Sequence, residues 1–244
     1  MPRAILTIAH YTLLEALRNR LLWLLVLLAL GALAVSGFLQ DLALTESRAL
    51  QTALLAAVLR LAAVFLIATF VITSMLREAN DKGQELLLAL ALPRAAYLFG
   101  KLTGFGALAL FGAPPDQAAL WGVSLLCELW IMAAFSLLCM LTLRQALPAL
   151  AVAAAFYLLA RVIGTLQLLG HGSVVPRDAA QLWLGRALDL LALLLPHLDN
   201  FSRSDWLLYH SGSVADLLAI AAQTALYVGL LTAAALFDLY RKSV

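Results

Sequence analysis

The sequence predicts an all-α polytopic membrane protein with six transmembrane helices, and three observations lead to this fold class. Of the 244 residues, 64% are hydrophobic and 12% are charged, whereas an ordinary soluble domain has about 45–50% apolar and about 25% charged residues. The mean hydropathy is +0.96. Long apolar runs recur along the chain, and such runs need lipid as their solvent. The composition therefore excludes a soluble enzyme, a disordered chain and a disulfide scaffold, and the net charge of +2 does not indicate a nucleic-acid partner.

Six apolar segments are predicted to cross the lipid bilayer within one transmembrane domain, residues 1–244. A helix of about 20 residues is long enough for a hydrocarbon core of about 30 Å. The predicted spans are residues 21–39, 53–76, 98–112, 118–143, 147–169 and 214–237. A signal peptide is the alternative for the first run, because Ala32-Leu33-Ala34 resembles a cleavage site.

The third predicted span is short. Its apolar part, residues 102–112, makes only about 16 Å of helix before Pro114 and Pro115 interrupt the pattern. A short or tilted span, lengthened by a snorkelling Lys101, is one interpretation. A re-entrant hairpin that does not cross the bilayer is the other.

Two segments outside the spans have a helical pattern. Residues 3–20 carry apolar side chains on one side and polar ones on the other, which predicts an amphipathic helix in the membrane interface. Residues 170–212 form the longest outer loop, and within it residues 179–195 predict an interfacial or re-entrant helix. The aromatic side chains of this loop are typical of an aromatic belt at the membrane surface; they are Trp183, Trp206 and Tyr209.

The distribution of lysine and arginine predicts that both termini are cytoplasmic. With six spans and a cytoplasmic N-terminus, ten basic residues lie on the cytoplasmic side and four on the outer side, as the positive-inside rule requires. If the third segment did not cross, Arg144, Arg241 and Lys242 would lie outside. The expected location is the bacterial cytoplasmic membrane.

No common catalytic or nucleotide-binding motif is found in the sequence. Gly100 and Lys101 superficially match a phosphate-binding loop, but Ala95 and Leu102 occupy positions where that motif needs Gly and Ser or Thr. The four histidines lie outside the spans or at their edges, so neither a metal nor a haem site is predicted. We therefore expect no enzyme activity, metal or cofactor in this chain.

Three ionisable residues lie inside predicted spans at similar estimated depth: Arg60, Glu128 and Arg161. A charge near the middle of the bilayer costs about 2.5–3.5 kcal/mol on insertion scales. One interpretation is an ion pair of Glu128 with either arginine, which would hold the helices together. The alternative is a polar lining of a substrate path.

The segment 77–101 is too long and too patterned for a simple turn, and it predicts a short cytoplasmic helix presented between two spans. Here the sequence resembles the permeases of ABC-2 type transporters, in the branch related to multicopper-enzyme maturation permeases. The matching segments are LEALRNRLLW at 14–23, SMLRE at 74–78, GQELLL at 83–88, LPR at 92–94, YLFGK at 97–101 and LPHLDNF at 195–201.

This resemblance implies the membrane-spanning permease subunit of an ATP-binding cassette exporter. Residues 3–20 would be the elbow helix and 77–101 the coupling loop that docks on a partner ATPase. The residues implied in coupling are Arg77, Glu78, Asp81, Lys82, Gly83, Glu85 and Leu86. The permease would pair with a second permease, as a homodimer or heterodimer, and ATP would bind only to the ATPase subunits. A secondary transporter or channel that works without an ATPase is the alternative function.

Overall fold

The computed structural model describes residues 47–80, 117–171, 179–209 and 211–241, and within these ranges the fold is all-α with no strand. The helices are α1 (Ser47–Asn80), α2 (Gln117–Leu143), α3 (Ala146–His171), α4 (Ala179–Leu194), α5 (Ser204–Tyr209) and α6 (Val214–Arg241). A single turn of 3-10 helix, Leu198–Asn200, lies between α4 and α5.

Four of the described helices are long and apolar enough to cross a membrane. Their apolar segments are Ala56–Arg77, Ala119–Leu143, Ala146–Leu168 and Val214–Arg241. The second, fourth, fifth and sixth predicted spans are therefore confirmed as long apolar helices. The first and third predicted spans and the amphipathic helix at 3–20 lie outside the described residues.

The ends of α1 differ from the prediction. The helix begins at Ser47, six residues before the predicted span 53–76, and continues to Asn80, four residues past it. Arg77 and Glu78 therefore lie in the last turn of α1 and not in a loop. The basic side chain of Arg77 in the last turn favours this ending, because the C-terminus of a helix carries partial negative charge. The remaining predicted coupling residues lie outside the described ranges.

α2 is the centre of the bundle and packs against α1, α3 and α6. Of the apolar segment of α2, 61% is buried inside the protein, against 17% of the apolar segment of α6. The core contains aliphatic, methionine, small and a few aromatic side chains, and its nearly fully buried members include Val71, Met75, Ile131, Met132 and Leu137.

α1 and α2 run in the same direction. Arg60 in the first half of α1 and Trp121 near the start of α2 both donate to the carbonyl oxygen of Ser202. From that level the two helices are buried together as far as Met75 and Met140. They therefore extend side by side towards a common end.

α6 is parallel to α2, and α3 is antiparallel to it. Thr224 of α6, whose hydroxyl donates to the Ile220 carbonyl, lies beside Cys127 of α2, and α6 stays buried against the core as far as Leu239. α3 follows α2 after the two-residue turn 144–145, where Arg144 adopts a left-handed conformation with φ 54°. We call the face where α1, α2 and α6 begin the first face, and the face where they end the second face.

α4 covers almost the same residues as the helix predicted over 179–195, and it packs on α3. Gln167 of α3 donates to Asp189 of α4 at 3.1 Å. Of the predicted aromatic belt, Trp183 and Tyr209 are exposed, whereas Trp206 is buried in the core, so its assignment to the belt was wrong. Trp206 instead anchors α5 against α1 and α2.

Candidate functional site: a buried polar cluster

The three ionisable residues predicted inside the spans come together in the first-face half of the bundle. Arg60 lies on α1, Glu128 on α2 and Arg161 on α3. The Nη1 atom of Arg161 is 3.5 Å from Oε1 of Glu128, and Glu128 has no exposed surface. The predicted ion pair is thus confirmed with Arg161 as the partner.

Ser202 is the second direct partner of the Glu128 carboxylate. Its hydroxyl donates to Oε2, and its backbone N–H donates to the Oγ atom of Ser124 at 2.8 Å. Both serines are fully buried. The Tyr157 hydroxyl of α3 also interacts with Glu128. A buried carboxylate is tolerated only when charge and hydrogen bonds satisfy it, and this one has both.

Arg60 reaches the same cluster without pairing directly with Glu128. Its Nη1 atom donates to the carbonyl oxygen of Ser202 at 3.1 Å, and the indole N–H of Trp121 donates to the same oxygen at 3.1 Å. The two donors satisfy both lone pairs of a carbonyl that has no partner in a helix or strand. Arg60 therefore binds the backbone carbonyl of Ser202, and its positive charge acts on the Glu128 carboxylate without a direct contact.

The backbone carbonyls that contact the arginines belong to the segment 195–203, which includes the 3-10 turn Leu198–Asn200 and which we call the buried turn. Arg161 Nη1 donates to the carbonyl oxygens of Leu198 and Phe201, the latter at 3.1 Å. Leu198, Phe201 and Ser202 are fully buried. Irregular backbone at membrane depth must have its polar groups satisfied within the protein, because the bilayer core has no water to bind them. The guanidinium groups supply the donors that a helix would otherwise provide.

The sequence of the buried turn explains its shape. Pro196 follows the end of α4 and cannot continue a helix. Ser202 adopts a left-handed backbone conformation with φ 41°, which a serine seldom adopts. Such a conformation persists only where surrounding contacts determine it, and Ser202 is held by hydrogen bonds at its N–H, its hydroxyl and its carbonyl.

Gly164 of α3 makes room for the turn. A Cβ atom at this position would lie well inside the van der Waals radius of the Asp199 carboxylate, with Asp199 Cγ at 3.2 Å. The negative charge of the Asp199 carboxylate also stabilises the positive charge of Arg161. Its Oδ1 atom is buried, and no described residue donates to it. The Asp199 side chain of the turn thus packs directly against the backbone of α3 at Gly164.

The cluster contains two arginines, Glu128 and Asp199, so its formal charge is balanced. Glu128 has no exposed surface, and its carboxylate is bound by Arg161 of α3 and by Ser202 of the buried turn. This arrangement favours a structural fastening of three helices over the polar lining of a substrate path.

Sequence reasoning located the three charged residues but missed Ser202, Trp121, Gly164 and the insertion of the turn. One signal in the sequence indicated that the arginines have further hydrogen-bond acceptors, because the predicted spans hold two arginines but a single carboxylate to pair with them. Leu198 and Phe201 were a second signal, since large apolar residues after Pro196 are unusual in a solvated loop.

No protein-family model matches the chain, and no curated protein matches its sequence.

Proposed function

We propose that this chain is the permease subunit of an ABC-2 type transporter in the bacterial cytoplasmic membrane, and that it exports its substrate with ATP hydrolysed by a separate subunit. The observation that carries the proposal is the resemblance of residues 74–101 to the coupling region of such permeases. α1 supports it, because this helix ends at Asn80 within that region, on the second face together with the ends of α2 and α6.

The mechanism would be alternating access, in which the permease itself makes and breaks no covalent bond. ATP closes the ATPase subunits and moves the coupling segments, and the helices follow as rigid bodies. α1 is suited to transmit this motion, because Arg77 at its second-face end and Arg60 in the buried cluster lie on one uninterrupted helix, about 26 Å apart.

The proposed topology has six spans with both termini cytoplasmic. The second face would be cytoplasmic, and it holds Arg77, Arg144 and Arg241 at or next to helix ends. Since α1 and α2 both begin at the first face, the chain has to return between them. This supports a crossing by the short third span, 98–112, over the re-entrant alternative.

Reporter fusions test the topology. Each position is fused to one reporter that is active only in the cytoplasm and, separately, to one that is active only in the periplasm. We expect the cytoplasmic reporter to be active at Gln145 and Val244 and the periplasmic reporter to be active at Asp116. The Gln145 fusion is the internal control, because the turn 144–145 lies on the face where α6 ends. A periplasmic signal at Val244 would contradict the six-span topology, and a cytoplasmic signal at Asp116 would show that residues 102–112 do not cross.

Charge reversal in the coupling region tests the partner. We expect Glu78→Lys and Glu85→Lys together to weaken copurification with the proposed partner ATPase subunit by at least about tenfold, because reversed charges at an interface repel the partner. Asp205→Lys is the control, since Asp205 is an exposed acidic residue in the first-face half. Unchanged copurification of the double variant, measured at equal membrane abundance, would overturn the docking assignment.

A further inference from the structure

The buried turn is held by three different helices at once. α1 supplies Arg60 and α2 supplies Trp121, both to the Ser202 carbonyl. α3 supplies Arg161 to the carbonyls of Leu198 and Phe201. We call these donors, together with Glu128, Ser124 and the buried turn, the clasp.

Opening the clasp would expose several costly groups in one step. Glu128 would lose the Ser202 hydroxyl, two arginines would lose their carbonyl acceptors, and the fully buried side chains of Leu198 and Phe201 would leave the core. In the bilayer core no water replaces these partners. The cost is therefore much larger than that of opening a solvated loop.

The clasp also lies where a substrate path between α1, α2 and α3 would have to run. The turn occupies the space between the three helices, and Leu198, Phe201, Ser202, Ser124 and Glu128 have no exposed surface there. Gly164 brings α3 against Asp199 on the remaining side. A solute that passed between these helices would have to displace the turn.

We propose that the clasp stays closed throughout the transport cycle, so that α1, α2 and α3 move as one body in their first-face halves and the substrate passes outside this group of helices. This inference rests on the proposed function for its meaning in transport. The closed state of the turn is testable without any ATPase or substrate.

Labelling with a membrane-impermeant maleimide tests whether the turn opens. The variants are Ser202→Cys and, as control, Ser211→Cys, in a background with Cys127→Ala and Cys139→Ala. Ser211 lies between α5 and α6 and is exposed. In permeabilised cells supplied with ATP, where the reagent reaches both faces, we expect Ser202→Cys to react about a hundredfold more slowly than the control, as a site reached only through rare openings. Equal rates would overturn the proposal.

A second variant keeps the test decisive if Ser202→Cys accumulates poorly. Ser124→Cys places the thiol on α2, on the other side of the 2.8 Å contact with the Ser202 N–H, and leaves the bonds to Glu128 in place. We expect the same protection from the reagent. Membrane abundance of each variant is measured first, and only variants at the abundance of the background protein are compared.

Crosslinking tests the role of the clasp in the cycle. Oxidation of the double variant Ser124→Cys/Ser202→Cys should link the buried turn to α2 by a disulfide. We expect ATP hydrolysis by the complex with its ATPase subunit to stay within about twofold of the reduced sample, because the turn and α2 do not move relative to each other during the cycle. A loss on oxidation that reduction restores would overturn the proposal. If no ATPase associates, the proposed function fails, and the labelling rates alone decide whether the turn opens.

Discussion

Glu128→Gln is expected to lower the free energy of unfolding by about 3 kcal/mol, since removing one partner of a buried ion pair leaves the other without its counter-ion. For a chain of this length the melting temperature should fall by about 6–12 °C. Arg161 would keep its carbonyl acceptors but lose the carboxylate at 3.5 Å, and Ser202 would face a weaker acceptor. Membrane abundance and the thermal unfolding midpoint in detergent measure the effect.

Asp205→Asn is the matched control for Glu128→Gln. It makes the same acid-to-amide change at an exposed residue and should alter stability by no more than about 0.5 kcal/mol. Normal stability of Glu128→Gln together with a loss of transport would contradict the structural role and would favour a substrate path.

The partner of Glu128 follows from double variants. Adding Arg161→Gln to Glu128→Gln should recover part of the lost stability, because it removes the buried charge that Glu128→Gln leaves without a counter-ion. Adding Arg60→Gln should recover less, since Arg60 donates to the Ser202 carbonyl and not to the carboxylate. Equal coupling of Glu128 to both arginines would show that the pairing is not specific.

Gly164→Ala is expected to destabilise the protein although alanine is the better helix former. The added methyl would collide with the Asp199 carboxylate and force it to rotate out of its buried position near Arg161. Overpacking of this kind costs about 1–3 kcal/mol, which outweighs the gain of about 1 kcal/mol from helix propensity. A lower thermal midpoint and lower membrane abundance measure it.

Gly229→Ala is the control for this substitution. Gly229 lies in α6, and an added Cβ there would meet no atom within 4 Å, so the variant should be as stable as the unmodified protein or slightly more stable. Combining Gly164→Ala with Asp199→Ala removes the colliding carboxylate and should restore much of the loss. If Gly164→Ala behaved like Gly229→Ala, the close approach of the turn to α3 would be wrong.

The spans were predictable because hydropathy over about 20 residues is a local property of the sequence. α2, α3 and α6 begin and end within a few residues of the predicted segments. The apolar segment of α1, Ala56–Arg77, agrees with the predicted span, but the helix extends beyond it, because a change from apolar to charged residues marks the edge of the hydrocarbon, whereas a helix continues until its hydrogen bonds end. Arg77 is compatible with both, and the sequence alone could not separate them.

The cluster was predictable only in part, for a different reason. An intramembrane charge requires a partner, so the pairing of Glu128 with an arginine followed from composition and depth. The acceptor of Arg60 is the backbone carbonyl of Ser202, and a carbonyl is present in every residue, so no side chain in the sequence marks it. The fit of Gly164 against Asp199 arises only when the chain folds back across α3.

The measurement that tests the account most directly is the composition of the purified complex. The chain is coexpressed with the proposed partner, an ATP-binding cassette ATPase from the same organism, and the native mass and the ATP hydrolysis of the purified product are determined. We predict two permease chains with two ATPase subunits and hydrolysis by the complex but not by the permease alone. A chain that purifies without any ATPase, and that moves solutes across liposome membranes without ATP, would contradict the proposed function and favour a secondary transporter or channel.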